Sequence, residues 1–360
     1  LQGVVLSLRP SEGGLRVQLT FALLPEQPLA LWKVKLSNLG EIPVLVERIE
    51  LLRAAPAAWL NSPQPAFFCN GWQSWAYTAA YGADQAIPRT RLGPIRDPMN
   101  NNATPQHRRP GAYSSDFFGV IGDRKERRGL LLGQLSERQH FASLEAVLSK
   151  PLLRLWANGD QARLDPGRSV ETDWASLYMF DLDKPDPLGY YLDAVARENQ
   201  IRPVSPQPAP AGWCSWYHFY QNLSATQVED NLSALLKMQD RLPVSLVQID
   251  DGFEKQIGDW FDFSRGFPRG VAGLAEKIHS SGMTPGLWLA PFILHTGADT
   301  CRRHPEWILR GKFNRPVNAG FIWNNFTTAL DLTNPEALDH ACQVVKTAAH
   351  EWGFPYLKLD

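Results

Sequence analysis

The chain has 360 residues, 44% of them hydrophobic and 20% charged, enough apolar material for large cores and about two or three domains. Its 36 basic and 37 acidic residues leave a net charge of −1 with no Lys/Arg stripe, which argues against nucleic acid as a partner. No apolar run reaches the ~18 residues of a membrane span, so no membrane partner is expected. The cysteines Cys69, Cys214, Cys301 and Cys342 are far apart and form no CxxC, which predicts free thiols and a cytoplasmic protein.

From Leu1 to about Phe180 the chain reads as strands. In "GLRVQLTFALL" the residues Leu15, Val17, Leu19 and Phe21 alternate onto one side. "LWKVKLSNLG" continues the pattern through Leu31, Val34 and Leu36, and "GLLLGQL" and "PLLRLWANG" follow. The charged stretch "GDRKERRG" at 122–129 has the pattern of a solvated turn, as does "PGRS" at 166–169. Strands at this spacing, without helices between them, predict a sandwich over 1–200 that ends in a helix at "DPLGYYLDAVARENQ". Pro203, Pro206, Pro208 and Pro210 then break any ladder or helix, so 201–211 reads as a linker.

After the linker the pattern becomes strand–helix alternation. "GWCSWY" predicts a first strand carrying Trp216 and Tyr217 at its end. Ser224 opens a helix with Gln227 three residues on as a capping box, and Val228, Leu232, Leu235 and Leu236 form its apolar face. "PVSLVQID" is an almost wholly apolar strand ending in Asp250 and Asp251. A helix with Leu274 and Ile278 stops near Gly282, and "TPGLWLAPF" is the third strand. Asn334 caps a helix with Pro335 at its first position, and Leu338, Ala341, Val345, Ala348 and Trp352 line one face. "PYLKLD" is the fourth strand.

Apolar strands separated by helices mean parallel strands in a β/α fold. A closed barrel uses eight such units over ~250 residues, whereas 212–360 holds about four. The expected fold class is therefore multidomain β plus α/β, an N-terminal β-sandwich followed by the first half of a (β/α)8 TIM-type barrel.

Chemistry in such barrels sits at the C-terminal strand ends. There Asp250, Asp251, Trp288, Lys358 and Asp360 converge with Trp216 and Tyr217, and carboxylates among aromatics suggest carbohydrate chemistry. The eight histidines form no HxH or HExxH, and neither GxGxxG nor GxxxxGK[ST] is present, so no metal and no cofactor is expected. His218 is read as packing or support. Adjacent Asp250 and Asp251 serve one side of a ligand, which fits hydroxyl recognition better than acid and base duty. Lys358 and Asp360 are two apart on a strand and face the same way, so the lysine is expected to keep the carboxylate ionised.

"GWCSWYHFY", "VQIDDGFEKQIGDW", "FPRG", "TPGLWLAPF", "HPEW", "ALDLTNPEAL" and "YLKLD" resemble, in order and spacing, the α-galactosidases of glycoside hydrolase family 36, the melibiase group. "NGWQSW" at 70–75 and "SSDFFGV" at 114–120 resemble that group's N-terminal domain. The resemblance implies Asp360 as nucleophile, Lys358 as a sugar contact, and Asp250 and Asp251 as holders of the galactose hydroxyls. It further implies that Trp288, Trp216, Tyr217 and Trp75 shape the sugar pocket, and that the full-length form acts on galactose-containing oligosaccharides as a homo-oligomer. The group's acid/base aspartate lies on a later barrel strand followed by a small β domain, so the chain is expected to be a fragment and inactive alone. An α-N-acetylgalactosaminidase, a raffinose-synthase-like transglycosylase and a non-catalytic galactose-binding module remain alternatives.

Overall fold

The computed structural model describes residues 2–360 apart from 9–13, 25–26, 56–63, 73–75, 89–90, 93–94, 97–103, 108, 151, 202–208 and 323–324. It divides into two compact units, Leu1–Val204 and Ser205–Asp360. Most of the proline-rich stretch at 201–211 lies outside the described residues.

The first unit is a sandwich of two antiparallel sheets. The larger runs in the order Gln2–Leu8, Leu15–Leu23, Leu29–Asn38, Ala175–Asp181, Arg128–Gln134, Phe118–Asp123, Pro65–Cys69, Ala79–Gly82, with Ser169–Glu171 added beside Leu29–Asn38. The smaller runs Val44–Ala54, Leu152–Leu164, Ala142–Val147, Ala112–Asp116. Between them lie Trp32, Val34, Phe67, Ile121, Leu130 and Leu132 from one sheet, and Val46, Ile49, Leu51, Leu144, Leu153 and Leu155 from the other. The Trp32 indole N–H crosses that core to donate to the Leu51 carbonyl at 2.9 Å.

The large sheet is buried on its outer face as well. Leu29, Leu31, Leu131, Tyr178 and Phe180 pack there against Tyr191 and Ala194 of the helix Gly189–Glu198. This corrects the simple alternation read from sequence. Leu31 faces the helix, whereas Val34 and Leu36 face the sandwich core. Leu15, Val17 and Leu19 are partly buried as expected, but Phe21 is 42% exposed. The charged stretch at 124–127 is an exposed turn between paired strands.

In the second unit, four parallel strands lie side by side in chain order: β1 (Gly212–Cys214), β2 (Leu246–Ile249), β3 (Thr284–Leu289) and β4 (Tyr356–Leu359). Helices α1 (Ala225–Lys237), α2 (Ala272–Ser280) and α3 (Pro335–Lys346) connect them. This is the first half of a (β/α)8 barrel. The Ser224 hydroxyl accepts from the Gln227 amide and the Gln227 side chain answers from below, completing the capping box. Asn334 caps α3 through the Glu336 amide, with Pro335 at its first turn.

Two helix faces differ from the sequence reading. In α1, Val228, Leu232 and Leu235 are buried while Leu236 is 37% exposed. In α3, Ala337, Ala341 and Val344 are buried, continued by Ala348, while Leu338 is 43% exposed. Ala337 and Ala341 face the cluster of Leu294, Ile308 and Leu330, and the larger Leu338 turns outward. Among the described residues no helix is long and apolar enough to cross a membrane.

One element had no counterpart in the sequence reading. Between β3 and α3 the chain folds a three-stranded antiparallel sheet from Ile293–His295, Asn325–Ala329 and Gly320–Ile322. Strands of three to five residues are too short to show a period.

Candidate active site

Alternation along the parallel strands decides which side chains enter the barrel. Val247 and Ile249 of β2, and Leu287 and Leu289 of β3, pack in the cores beneath the helices. The residues between them, Gln248 and Trp288, therefore point to the opposite face, and Lys358 of β4 lies in register with Trp288. Asp250 and Asp360 follow the same parity just past their strands. The site is thus built by period two, with Gln248, Trp288 and Lys358 one residue before their strand ends and Asp250 and Asp360 one residue past theirs.

Asp250 is 2% exposed and heavily bonded. Its Oδ2 accepts from Gln248 Nε2 at 2.6 Å, Lys358 Nζ at 3.0 Å and Cys214 Sγ at 3.4 Å. The Asp250 backbone N–H donates to Ser215 Oγ at 2.9 Å, and its Oδ1 accepts from the Asp251 amide at 3.1 Å. Burial alone would lower the Lys358 ammonium, but the Asp250 hydrogen bond and charge, with Asp360 and Cys214 adding, raise it above its ordinary value. Burial, then the Asp250 charge, pushes the Cys214 thiol up, so it stays a neutral S–H donor.

The lysine's direct partner stands on another strand. Lys358 and Asp360, two residues apart on one strand, are near each other as charges, as the sequence suggests. Residues at that spacing are ~6.6 Å apart along the backbone. The ammonium instead crosses to Asp250 beyond β2, because side chains of alternate barrel strands share a layer. Asp360 is held by the Trp288 indole, whose Nε1–H donates to Oδ2 at 3.0 Å, and by its own amide on the Leu289 carbonyl at 2.9 Å. Lys358 reaches Asp360 only as a nearby charge.

Asp251 is 1% exposed and accepts from Gln221 Nε2 at 3.1 Å. Burial raises its pKa, while hydrogen bonds from Glu254 and Gln221 favour the anion. Trp288 is 1% exposed and packs on Trp260 with ring centres 5.8 Å apart.

Trp216 and Tyr217 are not on a strand. The first strand stops at Cys214, and Trp216–Phe219 is a turn of helix. There Trp216 is half-buried with its ring edge-on to Tyr220, and Tyr217 is 83% exposed. His218 packs edge-on against Phe219. Trp75 lies outside the described residues. The sequence reading missed Gln248, Cys214, Ser215, Gln221 and Glu254. Gln248 was findable, since it stands two before Asp250 and shares its side; Cys214 ends the first strand, Ser215 follows it, and Gln221 and Glu254 are brought in by loops. A cavity of about 130 Å³ lined by Trp260, Arg303, His304, Trp307 and His340 includes none of the expected site residues.

Residues 210–360 match the Melibiase family. Among curated relatives, α-galactosidase 2 of Pediococcus pentosaceus is 26% identical over 148 residues, 39% of this chain and 20% of that protein. The α-galactosidase of Escherichia coli is 26% identical over 218 residues, 57% of this chain and 28% of that protein. The chain therefore spans well under two thirds of the curated relatives it matches. The solved structure of the Thermus thermophilus α-galactosidase TtGalA, in complex with p-nitrophenyl α-D-galactopyranoside, is 29% identical with a TM-score of 0.63. That match covers 99% of this chain and 63% of the other, so the likeness extends over the sandwich as well as residues 210–360.

Proposed function

We propose that the barrel unit, which matches the Melibiase family, carries the sugar-binding site and the nucleophile of a retaining α-galactosidase. The substrates are oligosaccharides ending in α-linked galactose, such as melibiose or raffinose. The observation that carries this reading is the division of labour at the strand ends: Lys358 is committed to Asp250, and Asp360 is held by one indole N–H. Asp250 and Asp251, fixed by side-chain donors, bind sugar hydroxyls. Asp360, tethered at Oδ2, attacks the anomeric carbon with Oδ1.

Attack forms a glycosyl-enzyme and breaks the glycosidic bond, and water then releases the sugar with net retention. A second carboxyl must protonate the leaving oxygen, and the family resemblance assigns it to a later barrel strand. Carboxyls ~5–5.5 Å apart are the retaining geometry. The four cysteines are free, which supports a cytoplasmic enzyme.

The test is hydrolysis of an aryl α-galactoside by the full-length protein beside Asp360→Gly, with and without azide. An active parent, a dead variant and a β-galactosyl azide product are expected. A parent that binds galactose but turns over no α-galactoside would leave a binding module or a different sugar. Turnover of the α-N-acetylgalactosaminide in its place would reassign the sugar.

A further inference from the structure

Glu254 belongs to none of the roles above, yet it is 5% exposed and in hydrogen-bond contact with Asp251, itself 1% exposed. We propose that Glu254 is a positioning residue, a neutral carboxylic acid that donates a hydrogen bond to Asp251 and so aims that carboxylate into the barrel mouth. The proposal rests on the reading of Asp251 as a sugar ligand.

The geometry brings the two acids together without a cation. Gly252 has φ +119°, and a Cβ there would stand 2.7 Å from the Gln221 carbonyl oxygen, so the chain turns tightly just after Asp251. Fully buried Phe253 anchors the turn, the Ser264 hydroxyl donates to the Gly252 carbonyl, and Glu254 bridges backbone to backbone with Phe263. That folds the Glu254 carboxyl back onto its own turn, where Oε2 accepts from the Gly252 amide at 3.4 Å and the carboxyl meets Asp251. Among the described residues neither acid makes an ion pair with lysine or arginine; the nearby ammonium of Lys358 is on Asp250.

Two buried carboxyls in contact with no cation between them cannot both ionise. Asp251 has the better claim to the charge, because Gln221 also donates to it. Burial, then the hydrogen bond and charge of Asp251, push Glu254 well above the usual carboxyl range. The other titratable groups facing Asp251 are Asp250 beside it and His295 from the inserted sheet. Burial lowers the pKa of His295, against the pull of Asp251 and Asp259. Raising the pH until Glu254 ionises therefore sets two adjacent buried anions against each other, and Asp251 loses its aim.

Glu254→Gln keeps a donor and cannot ionise; Glu254→Leu removes the donor. In the full-length protein, KM for an aryl α-galactoside should rise on the alkaline side in the wild type. Glu254→Gln should stay within about threefold at neutral pH and lose that alkaline rise, whereas Glu254→Leu should lose ~10- to 100-fold in kcat/KM, mostly through KM. Equal damage from both variants, or an alkaline rise that survives in Glu254→Gln, overturns the proposal. An infrared difference spectrum, wild type minus Glu254→Gln at neutral pH, should show the C=O stretch of a protonated carboxyl, and its absence overturns the proposal whatever the sugar. The band present without α-galactoside turnover would support the buried proton while removing the galactosidase reading. If Glu254→Leu fails to fold, Glu254→Gln and the spectrum decide.

Discussion

Asp173 in the sandwich unit and Asp250 in the barrel unit are both buried, 7% and 2% exposed, but different partners satisfy them. Asp173 accepts from the backbone amides of Arg138, Gln139 and His140 and from the Ser136 hydroxyl. Asp123 does the same for the amides of Lys125 and Glu126. Those carboxylates tie loops to strands. Asp250 is held instead by side chains from three strands, and Asp251 by side chains from two loops. A carboxylate satisfied by local amides is a fastener, whereas one satisfied by convergent side chains is a tool held in place. Asp259 shows that the rule follows chemistry and not the domain: it lies in the barrel unit and takes the amides of Asp299 and Thr300, as a fastener does.

Asp250→Asn should separate the two kinds most sharply. In the full-length protein it is expected to lower kcat/KM by ~10²- to 10³-fold, the scale of losing one preorganised charged contact. Its melting curve should move little, and an unfolded barrel unit in calorimetry would break the distinction. Asp173→Ala should do the reverse. Stranding several buried amides should cost about 2–4 kcal/mol in denaturant unfolding of the sandwich.

Glu137, half-buried in the sandwich, sharpens the comparison through pH. Burial, against the Ala142 amide hydrogen bond, pushes its pKa up to about 7. A raised carboxyl contributes stability that is full below its unfolded pKa and lost as pH rises through the folded value. Stability should therefore fall between about pH 4.5 and about 7, by on the order of 1–2 kcal/mol after solvent screening. Glu137→Gln should flatten that slope, and an unchanged slope would place the titration elsewhere. The smallest effect belongs to a local fastener in the barrel unit. Ser224→Ala removes the α1 cap and should cost about 1 kcal/mol in unfolding, with kcat/KM unchanged.

Much of this was legible in the chain itself. The caps at Ser224 and Asn334 depend on residues three or fewer positions apart, and both formed. The change from alternating strands to strand–helix units marked the two architectures. The placing of Asp250, Asp251, Lys358 and Asp360 at strand ends followed from where each apolar run stops. The helix faces were less legible: Leu338 was read as core and Ala337 was passed over. Hydrophobicity favours the leucine, but the face that is buried is the one turned to Leu294, Ile308 and Leu330, a cluster that forms only in the tertiary structure.

What the sequence by itself determined, then, is local: which segments are strands, where helices begin, and which acids stand at strand tips. Their partners were decided only by the tertiary structure. Lys358 bonds Asp250 and not Asp360, Trp288 takes Asp360, and Glu254 turns back to meet Asp251. The physical reason is that period two sets the face on which a side chain emerges, while curvature and register among parallel strands set which neighbour it meets. Those are properties of the assembled sheet, and no window of the sequence contains them.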